Sequence, residues 1–215
     1  LLRKQKQTLK KFDVRFIESD FFEAERSALR SHDLAVLNEI VGDFPAACNL
    51  TRKEIESASN SKRHPLAAVK KYLEAGLLEL PDREPFNVNI GAMEAVDILC
   101  SLSIPHIFVS EHSCEADVKD DELSPFMKFS PGKNPEEIKL AGHSEYSLCF
   151  SNLESIGRRR GYKTIRGNYT DFIKVDFSPK LRFIMTSNSQ KDEHEIIRQF
   201  IHDLYKYEYL LFIRQ

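Results

Sequence analysis

The stretch from Thr51 to Gly76 constrains the fold more than any other part of the chain, because it marks the ends of two consecutive helices. Thr51-Arg52-Lys53-Glu54 is a capping box: the Thr51 hydroxyl can accept from the Glu54 amide, while the Glu54 carboxylate reaches back to the Thr51 amide. It opens a short helix with Ile55 and Ala58 facing inward, and Ser59-Asn60-Ser61 follows as a polar turn. Pro65 suits the first turn of a second helix, where its missing N–H has no partner to lose. Leu66, Val69 and Leu73 make the buried stripe of that helix, with Tyr72 beside it. Gly76 ends it, since glycine takes the left-handed conformation without steric cost. The period then changes. Leu77–Leu80 and Phe86–Ile90 read as two strands joined by a turn at Pro81-Asp82-Arg83-Glu84-Pro85.

Upstream, Leu34, Leu37, Ile40/Val41 and Phe44 recur at three- and four-residue steps, which predicts an amphipathic helix stopped by Pro45. Three short helices closed by a hairpin is the winged-helix order. The run Ala68-Val69-Lys70-Lys71-Tyr72-Leu73-Glu74-Ala75-Gly76-Leu77-Leu78 resembles the third-helix-to-wing junction of winged-helix proteins, including many bacterial regulators. The resemblance covers residues 27–90, under a third of the 215-residue chain, and points to a superfamily and no single family. It implies that the third helix enters the major groove of DNA with its N-terminal residues nearest the base edges. Those positions carry Ser61, Lys62, Arg63 and His64, with Lys70 and Lys71 a turn or two later. Arg63 would make a forked contact to guanine and the lysines would hold phosphates. Arg52 and Lys53 would lie near the DNA backbone, and Arg83, at the wing tip, would reach a minor groove.

The rest of the chain predicts an α+β architecture. Residues 1–26 form an N-terminal helical arm, with a basic half (Arg3, Lys4, Lys6, Lys10, Lys11) and apolar Leu2, Leu9, Phe12, Phe16, Phe21 and Phe22. Residues 27–90 form the winged-helix domain. Residues 91–215 form a small α+β domain with a mostly antiparallel sheet and a long C-terminal helix. Met93, Val96, Leu99 and Cys100 mark one helix, and His106–Ser110 one strand. Residues 111–144 are acidic, then rich in Pro and Gly, and read as a long loop. Further strands are expected at Tyr146–Phe150, Tyr162–Arg166, Phe172–Phe177 and Leu181–Met185, the last two as a hairpin. Asp192 and Glu195 open the closing helix, which is read as continuing through Phe212.

Charge limits the function classes. The net charge of −2 is unlike that of a self-sufficient DNA binder, whose affinity comes largely from neutralising phosphates. Any DNA contact must therefore come from a local patch or be shared with another subunit. Arg158-Arg159-Arg160, with Lys163 and Arg166, is the densest positive cluster. Gly157 and Gly161 bracket it, which suggests a turn able to bind phosphate, nucleic acid or an acidic partner, or simply a solvated loop. The GxxxxGK[ST] spacing of a nucleotide loop is absent. Cys48, Cys100, Cys114 and Cys149 contain no CxxC pair and suit reduced thiols. No apolar run approaches the ~18 residues of a membrane span, so no membrane association is expected and the setting is read as cytoplasmic.

Candidate chemistry is sparse. Glu137-Ile138-Lys139 matches the E-x-K half of a restriction-type nuclease site, with Asp117, Asp120 and Asp121 upstream, but Pro131 and Pro135 crowd the supposed strand. His112-Ser113-Cys114 with Glu111, or with His143 and Cys149, offers metal-ligating types at intervals that fit no structural zinc pattern. His143-Ser144-Glu145 offers an acid and a base with no third group. No catalytic residue, metal or other cofactor is assigned. The sequence thus reads as a non-catalytic winged-helix accessory subunit of a DNA-associated assembly, of the chromosome-maintenance or defence type. Its expected partners are double-stranded DNA and other protein subunits, the latter through Tyr209, Leu211 and Phe212. The alternatives are a transcription regulator with a ligand-sensing or dimerising domain, and a metal-dependent nuclease.

Overall fold

The computed structural model describes residues 9, 11–14, 16–30, 32–58, 65–118, 122–127, 129, 131–173 and 175–215. In chain order the elements begin with α1 (Arg26–Leu29), β1 (Leu34–Asn38), β2 (Ala47–Leu50), α2 (Arg52–Ser57) and α3 (Pro65–Glu74). They continue with β3 (Phe86–Val88), α4 (Ile90–Ser101), β4 (His106–His112), β5 (Glu137–Lys139), β6 (Ser144–Tyr146) and α5 (Phe150–Arg159). The last are β7 (Tyr162–Asn168), α6 (Pro179–Thr186), α7 (Asp192–Lys206) and β8 (Tyr207–Arg214). Among the described residues this is a mixed α+β fold, and among its strand pairs only β1 with β4 is parallel.

The central sheet has the order β1-β4-β8-β7. One face is covered. Ile107, Val109, Leu210 and Phe212 are buried against Val96 and Leu99 of α4 and Leu153 and Ile156 of α5. Gly157 explains how closely α5 approaches: a Cβ there would lie 2.3 Å from the Phe212 ring, so only glycine lets the helix backbone rest on that ring. The other face is open along one register row, in which Val36, Phe108, Leu211 and Ile165 lie side by side. Val36 and Ile165, on the two edge strands, are 58% and 39% exposed.

Several local expectations hold. The Thr51 amide donates to Glu54 Oε2 at 2.8 Å and the Glu54 amide to Thr51 Oγ1 at 3.4 Å, closing the capping box. Gly76 has φ +67°, and Pro65 begins α3. Of the expected strand Phe86–Ile90, β3 keeps Phe86–Val88, and Ile90 already starts α4. The partner of β3 is β2, from the segment before α2, and Leu77–Leu80 makes no strand. Phe21 and Phe22 of the N-terminal arm pack on Phe44, with ring centroids 5.6 and 5.2 Å away. No helix among the described residues is long and apolar enough to cross a membrane.

Other expectations are corrected. The helix over 34–44 is instead β1 followed by a 3-10 turn at Val41–Asp43. Leu34-Ala35-Val36-Leu37 is a continuous apolar run, which periodicity cannot assign, and parallel pairing to β4 decides it. The expected 172–177/181–185 hairpin does not form, because Pro179 at the first turn and the Ser178 hydroxyl, accepting from the Leu181 amide, start α6. The closing helix stops at Lys206 and the chain passes directly into β8. β8 is a central strand whose core face buries Leu210 and Phe212, while Tyr207, Tyr209, Leu211 and Ile213 on its other face are half-buried. The expected 111–144 loop is partly built in: Leu123 and Met127 are buried with Ile201, Leu204 and Tyr205 of α7 in a second core. The main core runs from Leu37 through Ile55, Val69 and Phe86 to Phe212, so the α2–α3 pair and the sheet are packed as one body.

Candidate functional site

Two regions carry chemistry, the basic helix pair and the carboxyl end of the parallel strands β1 and β4. In the helix pair, several predicted DNA contacts have structural employment. Arg52 is ion-paired to Glu84 at 3.1 Å, also donates to the Pro81 carbonyl, and lies 5.8 Å from the Phe86 ring centroid. It ties the loop before β3 to the start of α2. Lys70 Nζ donates to the Glu56 and Ala58 carbonyls at 3.0 and 3.3 Å, satisfying the C-terminal end of α2. Lys53, Lys71 and Arg83 are exposed and have no ion pair among the described residues, although Lys71 Nζ sits 5.6 Å from the Tyr72 ring. Lys62, Arg63 and His64 lie outside the described residues.

The arginine cluster is dispersed by its position. Arg158 and Arg159 form the last turn of α5, where positive charge opposes the helix dipole, and Arg160 is the C-cap. Arg158 pairs with Glu154 at 2.6 Å and Arg160 with Asp97 at 2.7 Å, leaving Arg159 without a described acidic partner. Arg166, at the far end of β7, lies between Glu208 and Glu115 and 5.4 Å from the Phe150 ring. It borders a cleft of about 630 Å³ that also holds Asp117 and Lys133. Of the predicted partner contacts, Phe212 is fully buried, which is a correction. Tyr209 donates to Asp171 at 3.1 Å and stacks on Phe108, while Leu211 lies in the open row.

The second region is built by long-range pairing. The parallel register ends where the Ser110 hydroxyl donates to Asn38 at 2.8 Å, and β4 then delivers Glu111 and His112. Glu111 is 2% exposed. Its Oε2 accepts from the Gly42 amide at 3.2 Å and its Oε1 from the His112 amide at 3.1 Å. A Cβ on Gly42 would sit 3.2 Å from this carboxyl, so glycine allows the 3-10 turn to close over it. The β5–β6 hairpin brings His143 and Glu145 alongside. The strand after it is pinned: Leu148 donates to the His112 carbonyl at 2.7 Å, Cys114 to the Leu148 carbonyl at 3.0 Å, and the buried Asn89 to the Ser147 carbonyl at 3.1 Å.

The result is a carboxylate–imidazole cluster. The ligand atoms of Glu111, His112 and Glu145 lie within 4.8 Å of one another, and so do those of Asp43, His143 and Glu145. His143 Nε2 is 3.2 Å from Asp43. His112 Nδ1 is 4.0 Å from Glu145, and its Nε2 is 3.9 Å from Asp203 on α7. That Nδ1 is buried with no hydrogen-bond partner. Burial pushes the Glu111 carboxyl up to about 7, raises Glu145 with help from Asp43, and lowers the His112 imidazole. Among the described residues no ion pair neutralises Glu111. On the other side of His112 a cleft of about 300 Å³ is lined by Glu136, Ser147, His202, Asp203 and Lys206.

Glu137 and Lys139 of the E-x-K triplet lie exposed on β5, and neither lines the cleft that holds Asp117. Asp120 and Asp121 lie outside the described residues. Sequence reasoning paired Glu111 with His112, His112 with His143 and His143 with Glu145, but it did not bring the four into one cluster, set Cys114 and Cys149 among them, and missed Asp43. The available signal was weak: His143 and Glu145 are two residues apart, and such residues share a side of extended backbone. No protein-family model matches the chain, and neither a curated protein nor a solved structure matches it.

Proposed function

We propose that this protein is a DNA-associated accessory subunit that meets duplex DNA through the α2–α3 helix pair, although the first helix and the wing hairpin of the winged-helix order are replaced by β1 and by the β2–β3 pair. The observation that carries this reading is the arrangement of the pair. Ile55, Val69 and Tyr72 are buried between α2, α3 and the main core, β2 and β3 form a two-stranded sheet beside them, and Lys53, Lys71 and Arg83 point to solvent. These three residues are exposed basic positions on a chain of net charge −2, and the sequence sets Lys62 and Arg63 just before Pro65. So few basic positions suit a subunit whose partners supply further contacts. The apolar row on the open sheet face also fits a chain that works in an assembly.

The test is the binding of a fluorescently labelled duplex by the full chain and by a Lys53→Ala, Lys71→Ala, Arg83→Ala triple variant. If the three residues touch phosphates, the log–log salt slope falls by about three units, roughly one per contact. Equal affinity and slope in the two proteins would mean that this face meets protein or solvent.

A second reading, metal-assisted hydrolysis of a phosphodiester, is favoured by one observation. The cluster of Asp43, Glu111, His112, His143 and Glu145 supplies converging carboxylates that the E-x-K triplet does not. Cleavage of duplex or single-stranded DNA in Mn²⁺ that is lost in Glu111→Gln would support it. No cleavage under those conditions would leave the accessory reading alone.

A further inference from the structure

We infer that the carboxyl end of β1 and β4 is a two-cation site for first-row divalent metals, with Glu145 shared between the cations. This inference does not depend on DNA binding or on catalysis. The inner position is formed by Glu111, His112 and Glu145, the outer by Asp43, His143 and Glu145. Ligand atoms around one cation at bonds of about 2.0–2.2 Å lie within roughly 4.4 Å of each other. Separations of no more than 4.8 Å therefore need only rotamer adjustment to close.

Three features point to a cation rather than to an ordinary polar cluster. The first is Glu111, a carboxylate 2% exposed whose described contacts are two backbone amides and no positive side chain. A buried charge without a counter-charge is expensive, and a divalent ion supplies one. The second is the orphaned His112 Nδ1, because a buried polar atom without a partner calls for an explanation such as a bound ion. The third is the orientation of that imidazole. With Nδ1 as the ligand the proton sits on Nε2, whose side holds Asp203 at 3.9 Å, outside hydrogen-bond range, where a small side-chain shift would form the carboxylate–histidine–metal hydrogen bond. The anchoring of 147–149 by Asn89 and by the 112–114 backbone holds Glu145 where both positions need it.

The donor set selects the metal class. Imidazole nitrogen mixed with carboxylate oxygen suits Mn²⁺, Fe²⁺ or Zn²⁺, whereas all-oxygen cages suit Ca²⁺ and Mg²⁺. Three protein ligands at each position leave coordination sites open, unlike a closed structural zinc site. Cations sharing a carboxylate would stand about 3.5–4 Å apart.

The experiment uses the full chain, stripped with chelator and titrated with Mn²⁺ by calorimetry, with metal content measured after gel filtration. Two Mn²⁺ per chain are expected, with a spin-coupled signal in electron paramagnetic resonance. Glu145→Gln should weaken both positions at least about tenfold, the scale seen even for outer-sphere partners. His143→Ala, at an exposed position, should remove the outer cation alone and abolish the coupled signal. Melting in chelator checks that each variant folds, and His143→Ala carries the test if Glu145→Gln does not. Fewer than two Mn²⁺ on the parent, or unchanged stoichiometry in His143→Ala, would overturn the proposal.

Discussion

At the scale of single residues, Gly157 and Phe212 fix how the largest helix–sheet contact is made. The helix backbone lies directly on the Phe212 ring, where a methyl group has no room. Gly157→Ala should therefore destabilise the chain by about 1–3 kcal/mol through overpacking, despite the better helix propensity of alanine. Phe212→Ala should cost about 3–5 kcal/mol, since it empties a fully buried aromatic site. Urea denaturation of both variants checks these values. A stabilised Gly157→Ala would mean that α5 stands further from the sheet. Several basic residues look different at this scale from their sequence reading. Lys70 and Arg52 resemble DNA ligands by spacing alone, yet one closes the end of α2 and the other fastens the loop before β3. Local sequence shows a charge but not the carbonyl or carboxylate that the fold brings to it.

At the scale of elements, the sheet has one covered and one open face, and substitutions should report the difference. Val36→Lys and Ile165→Lys lie on the open row at the two edge strands, so each should change stability by no more than about 0.5 kcal/mol. Losses of several kcal/mol would show that this face is covered within the chain. The elements legible in the sequence were those fixed by local chemistry. The capping box opened α2, Pro65 and Gly76 bounded α3, and Pro105 separated α4 from β4. The misread elements were decided by distant partners. β1 depends on β4, some 70 residues away, and β8 becomes a strand because it fits between β4 and β7. Its Tyr207–Ile213 run is strand-like in composition, but its continuity with α7 hid the change of period. The assembly of the carboxylate–imidazole cluster was illegible for the same reason, although the local pairs Glu111/His112 and His143/Glu145 could be read. Its five residues come from three segments that meet only after the parallel pair and the β5–β6 hairpin have formed.

At the scale of the whole molecule, a shared core joins the helix pair to the sheet, so anything bound by α2 and α3 bears on the same packed body. The same body holds the cluster at the carboxyl end of the parallel pair β1 and β4. The proposed role needs a chain of net charge −2 to approach a polyanion through one small face. The most direct test is the salt dependence of duplex binding by the intact protein. Lys53, Lys62, Arg63, Lys71 and Arg83 offer at most five phosphate contacts, so the slope of log affinity against log salt should fall between about −2 and −4.5. A slope near zero, or no duplex binding at low salt, would contradict the account and leave the helix pair as a protein-docking surface.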